Sequence, residues 1–488
     1  MEAQLVSSHT VNPDELRLLL GEWRTGSGSL VERLTAAIEQ AMERGELLES
    51  WRLPSERSIA SGLGIGRSTA VRSMEVLAAR GSVERVQGAG TFVTGTRRTP
   101  RVPSLPPGLR SKYQPGDSTD PGIIAATVPS SSDLPAAALA VTATELLDAT
   151  PGGERPGSGY NLAGLANTRR SIASMLTCQD VRTAPENVIV TTGATQSLSI
   201  IFDQMLSPGD TVVVESPTFP PTLDLLRRAG VEIVPVRTGD ATVDAGGLAR
   251  VALKSHAKMV VVMSTCNVAT GYGLKSSERQ FLVELALTGV TVVDDCTLND
   301  YHPLSQPLAA LCEHRNIITV GSFNKIYWGG LRMGWIRSHS NLVQSLIRIK
   351  SKTDAGSSVP SQVILGKLIA HHDEIVAIRR KQVERRAAST TDFVCRELPD
   401  WTVEGAGIGP SMWIRLPVRD SAEFVSFAYR TGTAVGYGGM YRSDGRASQH
   451  IRLTLTSDDE EVARGVSNLK EAWSAFPDLR RTRQRNPF

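Results

Sequence analysis

The chain has 488 residues, enough for two or three domains with a large buried core. No apolar run is long enough to span a membrane, no signal-peptide pattern opens the sequence, and the five cysteines (Cys178, Cys266, Cys296, Cys312, Cys395) fit neither a disulfide framework nor a zinc pattern, which together point to a reducing, cytoplasmic setting. Net charge is only +3, yet eleven Lys and Arg against three acidic residues fall between Trp51 and Lys112, a local excess of eight.

Residues 1–26 are weakly patterned and read as a leader. Leu30, Leu34, Ala37, Ile38 and Met42 then recur at helical spacing, ending near Arg44 and Gly45. After Trp51 the chain reads LPSERSIASGLGIGRSTAVRSMEVLAARGSVERVQGAGTFV. Ser55 is a helix N-cap with Glu56 favourable to the helix dipole. The turn Gly62-Leu63-Gly64-Ile65-Gly66 separates that helix from a second, about Ser68 to Arg80, expected to bury some of Val71, Met74, Val76 and Leu77. Two short strands, Val83–Val86 and Thr91–Val93, flank Gln87-Gly88-Ala89-Gly90. Three helices followed by a β-hairpin make a winged helix-turn-helix, placed at 27–94.

Residues 95–130 hold many Pro and Gly, few large apolar residues and a basic excess, and read as a flexible linker. From 131 to 488 strands alternate with helices, the pattern of an α/β domain with a mainly parallel sheet. Asn187–Thr191 is a strand, and Gly193, Ala194 and Thr195 form a turn before a helix, where free backbone amides suit phosphate. Thr211–Glu215 leads to Phe219, a flat stacking surface. Met259–Ser264 leads to Asn267 and the turn Ala269-Thr270-Gly271. Gly289–Val293 runs into Asp294 and Asp295, two carboxylates that on their own suggest a metal. The next strand, Ile317–Val320, runs toward Lys325, with Arg332 seven residues on after Gly329 and Gly330. Parallel strands bring their C-terminal ends to one rim. A phosphate turn, an aromatic plate, a carboxylate, a lysine and an arginine on one rim fit pyridoxal phosphate rather than a metal.

The segment 27–94 resembles the GntR-type winged-helix DNA-binding domain, on its LPSER box, arginine-led second helix and G-x-G-T-F wing. That resemblance implies base contacts from Arg67, Ser68, Thr69 and Arg72 in the major groove, a phosphate contact from Arg57, and close backbone approach at Gly88 and Gly90. A winged helix used only for protein contacts is the alternative. The segment from about Leu134 onward resembles the fold-type I aminotransferases, which carry a smaller C-terminal subdomain. There the resemblance implies Lys325 as the Schiff-base lysine, Asp294 (or Asp295, one residue on) as the partner of the pyridine nitrogen, and Gly193, Ala194, Thr195 and Arg332 around the phosphate. Phe219 would stack on the ring, Asn267 would also contact the cofactor, and Tyr160 would reach the neighbouring subunit's phosphate unless it is a plain loop tyrosine. Arg452, in Gln449-His450-Ile451-Arg452-Leu453-Thr454, would bind an effector carboxylate unless it is solvated.

The two segments in this order resemble the MocR-type transcriptional regulators. The resemblance implies a head-to-tail homodimer on double-stranded operator repeats, sensing pyridoxal phosphate or its adduct with an amino compound. The alternative is a working transaminase with an accessory winged helix. Three departures favour the sensor. Cys296 stands where the family has a tyrosine, Asn324 replaces a serine before the lysine, and Ala269-Thr270-Gly271 replaces Pro-Thr-Gly. Each is expected to loosen control of the cofactor.

Overall fold

The computed structural model describes residues 10–21, 23–24, 28–43, 47, 51–80, 82–86, 90–93, 122–123, 129–150, 157–237, 244–302, 306–405, 408–444 and 446–476. Most of the expected linker, and Gly88 of the wing, lie outside them. The chain divides into two compact units, residues 1–104 and 105–488.

The first unit contains α1 (Pro13–Leu20), α2 (Leu30–Glu43), β1 (Arg52–Leu53), α3 (Glu56–Leu63), α4 (Arg67–Ala79), β2 (Val83–Val86) and β3 (Gly90–Val93). Its antiparallel sheet runs in the order β1-β3-β2. Ser55 caps α3 by accepting from the Ser58 amide, and Gly64 ends that helix in the left-handed conformation. Helix α4 buries Ala70, Ser73, Met74 and Leu77, one stripe at i, i+3, i+4 and i+7. Val71 and Val76, two of its expected core residues, are only half-buried because they flank that stripe.

The leader expectation does not hold for residues 11–23. Asn12 caps α1 in a capping box with Glu15, and Pro13 takes the first helical position, where its missing N–H costs nothing. Val11, Leu16, Leu20 and Trp23 join the same core as Leu34, Ile38, Ile59, Met74 and Leu77. The Val11 amide donates to the Arg52 carbonyl at 2.9 Å, extending the sheet edge.

In the second unit, β4 (Gly122–Ile123) precedes a seven-stranded sheet. Its strands are β5 (Val188–Thr191), β6 (Thr211–Ser216), β7 (Glu232–Arg237), β8 (Met259–Val262), β9 (Thr291–Asp295), β10 (Ile317–Ser322) and β11 (Gly334–Arg337). They lie in the order β5-β11-β10-β9-β8-β6-β7. Only β11 runs against its neighbours. Every residue of β5, β8, β9, β10 and β11 is buried, because helices cover both faces. Adjacent residues feed different cores: Val292 belongs to one and Val293 to the other. A smaller antiparallel sheet follows, β12 (Thr402–Glu404), β13 (Ser411–Arg415), β15 (Gly436–Tyr437) and β16 (His450–Thr454), in the order β12-β13-β16-β15. Strand β14 (Thr433–Ala434) pairs in parallel with β4. The mainly parallel sheet with a C-terminal subdomain is thus as expected, while β7 and β11 add to the expected strands.

Leu16 is fully buried. Leu16→Ala is expected to destabilise the first unit by about 2–4 kcal/mol, the cost of a buried cavity. Amide exchange in α2 and α4 measures it; a true leader would leave their protection unchanged.

Candidate functional site

The parallel strands end on one rim, and most of the expected cofactor residues meet there. Strand β5 delivers the turn Thr192-Gly193-Ala194-Thr195 to the N-terminus of the helix Ala194–Met205, which has no side-chain cap. Its first amides are therefore available to an anion. Gly193 has φ +137°, and a Cβ there would lie 2.8 Å from Asn324 Nδ2. The turn thus needs glycine on both conformational and steric grounds.

Lys325 lies half-buried on the turn that follows β10, three residues beyond the strand end. Asn324 beside it links three segments. Its Nδ2 donates to the Thr192 carbonyl at 3.3 Å, and its Oδ1 accepts from the Met333 amide at 2.8 Å. Arg332 sits between that contact and β11 with φ +54°, a conformation that costs a non-glycine residue about 1 kcal/mol or more. Its side chain is exposed and, among the described residues, makes no ion pair or hydrogen bond. Gly334 pairs with Thr191, and a Cβ on Gly334 would come within 2.6 Å of Gly193 Cα, so the Arg332 turn and the Gly193 turn adjoin.

The two aspartates point to opposite faces of β9 and do not converge as a metal pair would. Asp294 is fully buried; it accepts from Ser264 Oγ at 2.8 Å, the Ser264 amide at 3.2 Å and the Leu308 amide at 2.8 Å. Burial pushes its carboxyl up, against these donors. Asp295 accepts from the Thr297 amide at 3.0 Å and its hydroxyl at 2.5 Å, both on Oδ1. Burial raises it to about 6, opposed by Thr297 and by the charge of Lys325. Lys325 therefore acts on Asp295. Cys296 is buried against Asp294, and burial pushes its thiol well up, so it stays a neutral, weak donor.

Asn267 is fully buried and spends its amide on backbone: Nδ2 donates to the Pro217 carbonyl at 2.9 Å, and Oδ1 accepts from Ala269 and Thr270. It shapes the turn instead of presenting a free amide. Phe219 is half-buried at the start of the helix Pro220–Arg228. Arg452 is 3% exposed, so the solvated alternative fails. Its Nε donates to the Val268 carbonyl at 2.8 Å and its guanidinium lies over the Tyr441 ring. Ser411 donates to the same carbonyl, so β13 and β16 both tie the subdomain to the rim. Tyr160 is 78% exposed, away from these residues' contacts.

Two rim residues escaped the sequence reading. Tyr301 is buried and its hydroxyl donates to the Lys325 carbonyl at 2.8 Å, fixing the lysine's backbone. Glu215, at the end of β6, is fully buried; its Oε1 accepts from the Met263 amide at 2.8 Å, while Oε2 has no hydrogen-bond partner among the described residues. Burial raises Glu215 to about 8, with Met263 and Asn267 pulling it back and both aspartates adding to the rise. The sequence does carry a signal for it, since a glutamate ending a Val-Val-Val strand is a buried acid by position.

In the first unit, Arg57, Arg67, Ser68 and Arg72 are exposed and Thr69 is half-buried, while α4 begins at Gly66 with no side-chain cap. Arg72 pairs with Glu75 at 3.1 Å, an exposed pair that a stronger anion would displace readily. Gly90, with φ +119°, packs against the Arg52 side chain.

A family model described as "Aminotransferase class I and II" matches residues 131–469, and one described as "Bacterial regulatory proteins, gntR family" matches residues 30–93. The chain belongs to the class I and II aminotransferases. Its gntR-family segment makes it a MocR-type helix-turn-helix transcriptional regulator, and a helix-turn-helix implies DNA binding. The probable rhizopine catabolism regulatory protein MocR of Rhizobium meliloti is 26% identical over 92% of this chain and 93% of its own. The uncharacterized HTH-type transcriptional regulator YisV of Bacillus subtilis is 24% identical over 90% and 95%. The fold matches LysN, the α-aminoadipate aminotransferase of Thermus thermophilus, with TM-score 0.66 and 22% identity over 72% of this chain and 91% of LysN. Among the described residues no helix is long and apolar enough to cross a membrane, and no group of three His, Cys, Asp or Glu could hold a metal.

Glu215 yields a pH test for this MocR-type rim. Its ordinary value of 4.5 becomes about 8 in the fold, so folding takes up a proton between those values and stability falls as pH rises across them. Glu215→Gln is expected to leave stability near pH 5 almost unchanged and to raise it by roughly 2–4 kcal/mol at pH 8.5. Denaturant unfolding at the two pH values measures the difference; an equal shift at both would mean Glu215 is charged throughout.

Proposed function

We propose that this protein is a cytoplasmic transcriptional regulator that binds pyridoxal phosphate and senses the cofactor or its adduct with an amino compound. The observation that supports it most is the meeting of Lys325, Asp295, Arg332 and the Gly193 turn on one rim.

The residues fit the group. Glycine at 193 leaves a backbone cradle, and Arg332 adjoins it with an unspent guanidinium. The buried carboxyls, held up by desolvation, favour a positively charged ring nitrogen beside them. Of the pair Asp294 and Asp295, Asp295 is the one on which the charge of Lys325 acts. When bound, the cofactor supplies an aldehyde that captures amines. This chain's part is to hold and orient it. Lys325 offers the amine, the Gly193–Thr195 amides and Arg332 hold the phosphate, and Phe219 covers the ring. Arg452, already buried and fixed by Val268, offers its guanidinium to an effector carboxylate. Tyr160 is exposed as a residue reaching a neighbouring subunit must be, which suits a head-to-tail dimer.

Sensing is favoured over turnover because Cys296 gives no strong donor where a tyrosine would control the ring oxygen. In the first unit, Arg67, Ser68, Thr69 and Arg72 would read base edges of operator repeats, with Arg57 on phosphate. Occupancy would shift the populations of dimer states that space the two winged helices differently.

Adding pyridoxal phosphate to the purified protein is expected to produce a visible absorption band that Lys325→Ala lacks. A wild-type protein that stays colourless would sink the cofactor reading. Separately, Arg67→Ala and Arg72→Ala are each expected to weaken operator binding by about 1–3 kcal/mol per lost base contact. Gel-shift titration checks this; unchanged affinity in both would remove α4 from the DNA interface. Steady conversion of an amino acid by the wild type would instead favour a transaminase.

A further inference from the structure

A fully buried lysine lies outside the set just described. Lys350 ends the helix Ser340–Lys350 with no exposed surface. Its Nζ sits 3.1 Å from Asp354 Oδ2, off-line for a hydrogen bond but close enough for a full ion pair. Burying an ammonium is costly unless its counter-charge is held firmly, so Asp354 has little freedom to move.

Asp354 uses its other valences on two further segments. Oδ2 also accepts from Gln196 Nε2 at 3.2 Å, and Oδ1 accepts from the Gly356 amide at 2.7 Å. With its nitrogen turned to the carboxylate, Gln196 must turn its oxygen the other way. That oxygen accepts from the Thr192 amide at 2.8 Å and the Thr192 hydroxyl at 3.3 Å. Thr192 is the first residue of the phosphate turn, and its carbonyl is the one that Asn324 holds. Both polar groups of that residue's backbone are therefore fixed from opposite sides. On the second arm, Gly356 lies so close to Asn161 that a Cβ would come within 2.9 Å of its backbone nitrogen and oxygen. Asn161 follows Tyr160.

We propose that Asp354 is a positioning residue for the phosphate of the cofactor, acting through Gln196 on the Thr192–Thr195 turn and through Gly356 on the Tyr160 loop, with Lys350 as its fixed counter-charge. The proposal rests on the cofactor reading above. It assigns a directional role to an ion pair that touches no ligand. The amides of Ala194 and Thr195 point where a phosphate needs them because Thr192 is pinned, and Thr192 is pinned because Asp354 cannot relax.

A phosphate-specific comparison tests it. Pyridoxal phosphate and unphosphorylated pyridoxal are titrated by absorbance against wild type, Gln196→Ala and Asp354→Asn in the full chain. Gln196 is half-buried and neutral, and alanine favours the helix, so that variant keeps its fold. Both variants are expected to lose about tenfold in affinity for pyridoxal phosphate, the scale of one lost hydrogen bond near charge. Affinity for pyridoxal is expected to stay within about twofold, since the turn makes no contact with the ring. Asp354→Asn leaves Lys350 uncompensated; if it does not fold, Lys350→Met with Asp354→Asn replaces it and the same ratio is read. Equal losses for both compounds would reduce the cluster to general stability and overturn the proposal, as would unchanged affinity for both. A wild type that binds neither compound overturns the cofactor reading itself, and this proposal with it.

Discussion

Buried carboxyl groups at the ends of parallel strands are the constraint on which the second unit depends. Glu215, Asp294 and Asp295 terminate β6 and β9 at 2% exposure or less. Each is pushed toward its neutral form by burial, and the aspartates add to the difficulty of Glu215. A fold that keeps three such groups has to surround them with donors. Ser264, Leu308, Thr297 and Met263 do this from the same rim, while Arg279 supplies charge to Asp294 and Lys325 to Asp295. Among the described residues the compensation is incomplete at Glu215 Oε2. An interior built only for stability would have apolar residues here. On the proposed reading, the acids are retained to receive a cationic ring nitrogen.

The antiparallel strand β11 is what turns these strand ends into a closed site. Inserted between β5 and β10, it brings the chain back across the rim immediately after Lys325. The return forces Arg332 into a left-handed backbone and sets Gly334 against Gly193. Lys325, Arg332 and the Gly193 turn then share one wall, with the first two only seven residues apart. Asn324 holds that wall together, since its side chain bonds Thr192 on one side and Met333 on the other.

Much of this was legible, for identifiable reasons. Long β-branched runs such as Ile317–Val320 and Thr211–Val214 can be little else than buried strands, and the residues that follow them inherit the rim. The LPSER box worked for a local reason, because Ser55 caps the helix that it begins. What stayed hidden was either too short to show a pattern or set by tertiary contacts. β11 has four residues, two of them Gly and Trp, and shows no alternation. The burial of Arg452 depends on the loop at Val268 lying over β16, which no pattern of Ile451 and Leu453 reveals. Helix α1 was a different failure. Asn12, Pro13 and Glu15 form a capping box that is visible in sequence, and the run Leu16 to Trp23 after it supplies the buried face.

The departures from the aminotransferase pattern also look different in three dimensions. Asn324, expected to loosen the cofactor, links the Thr192 carbonyl to the Met333 amide, spending one donor and one acceptor. Cys296 sets a buried thiol, which burial keeps protonated, where the aminotransferase pattern has a phenolic donor. On the proposed reading, position is thus held while electronic control is weakened. Catalysis needs groups that follow the charge as it develops, whereas recognition needs only that the bound state be held. On the proposed reading, substitutions that strengthen holding and weaken steering move the site along one axis, from turning an amine over toward registering that it has arrived.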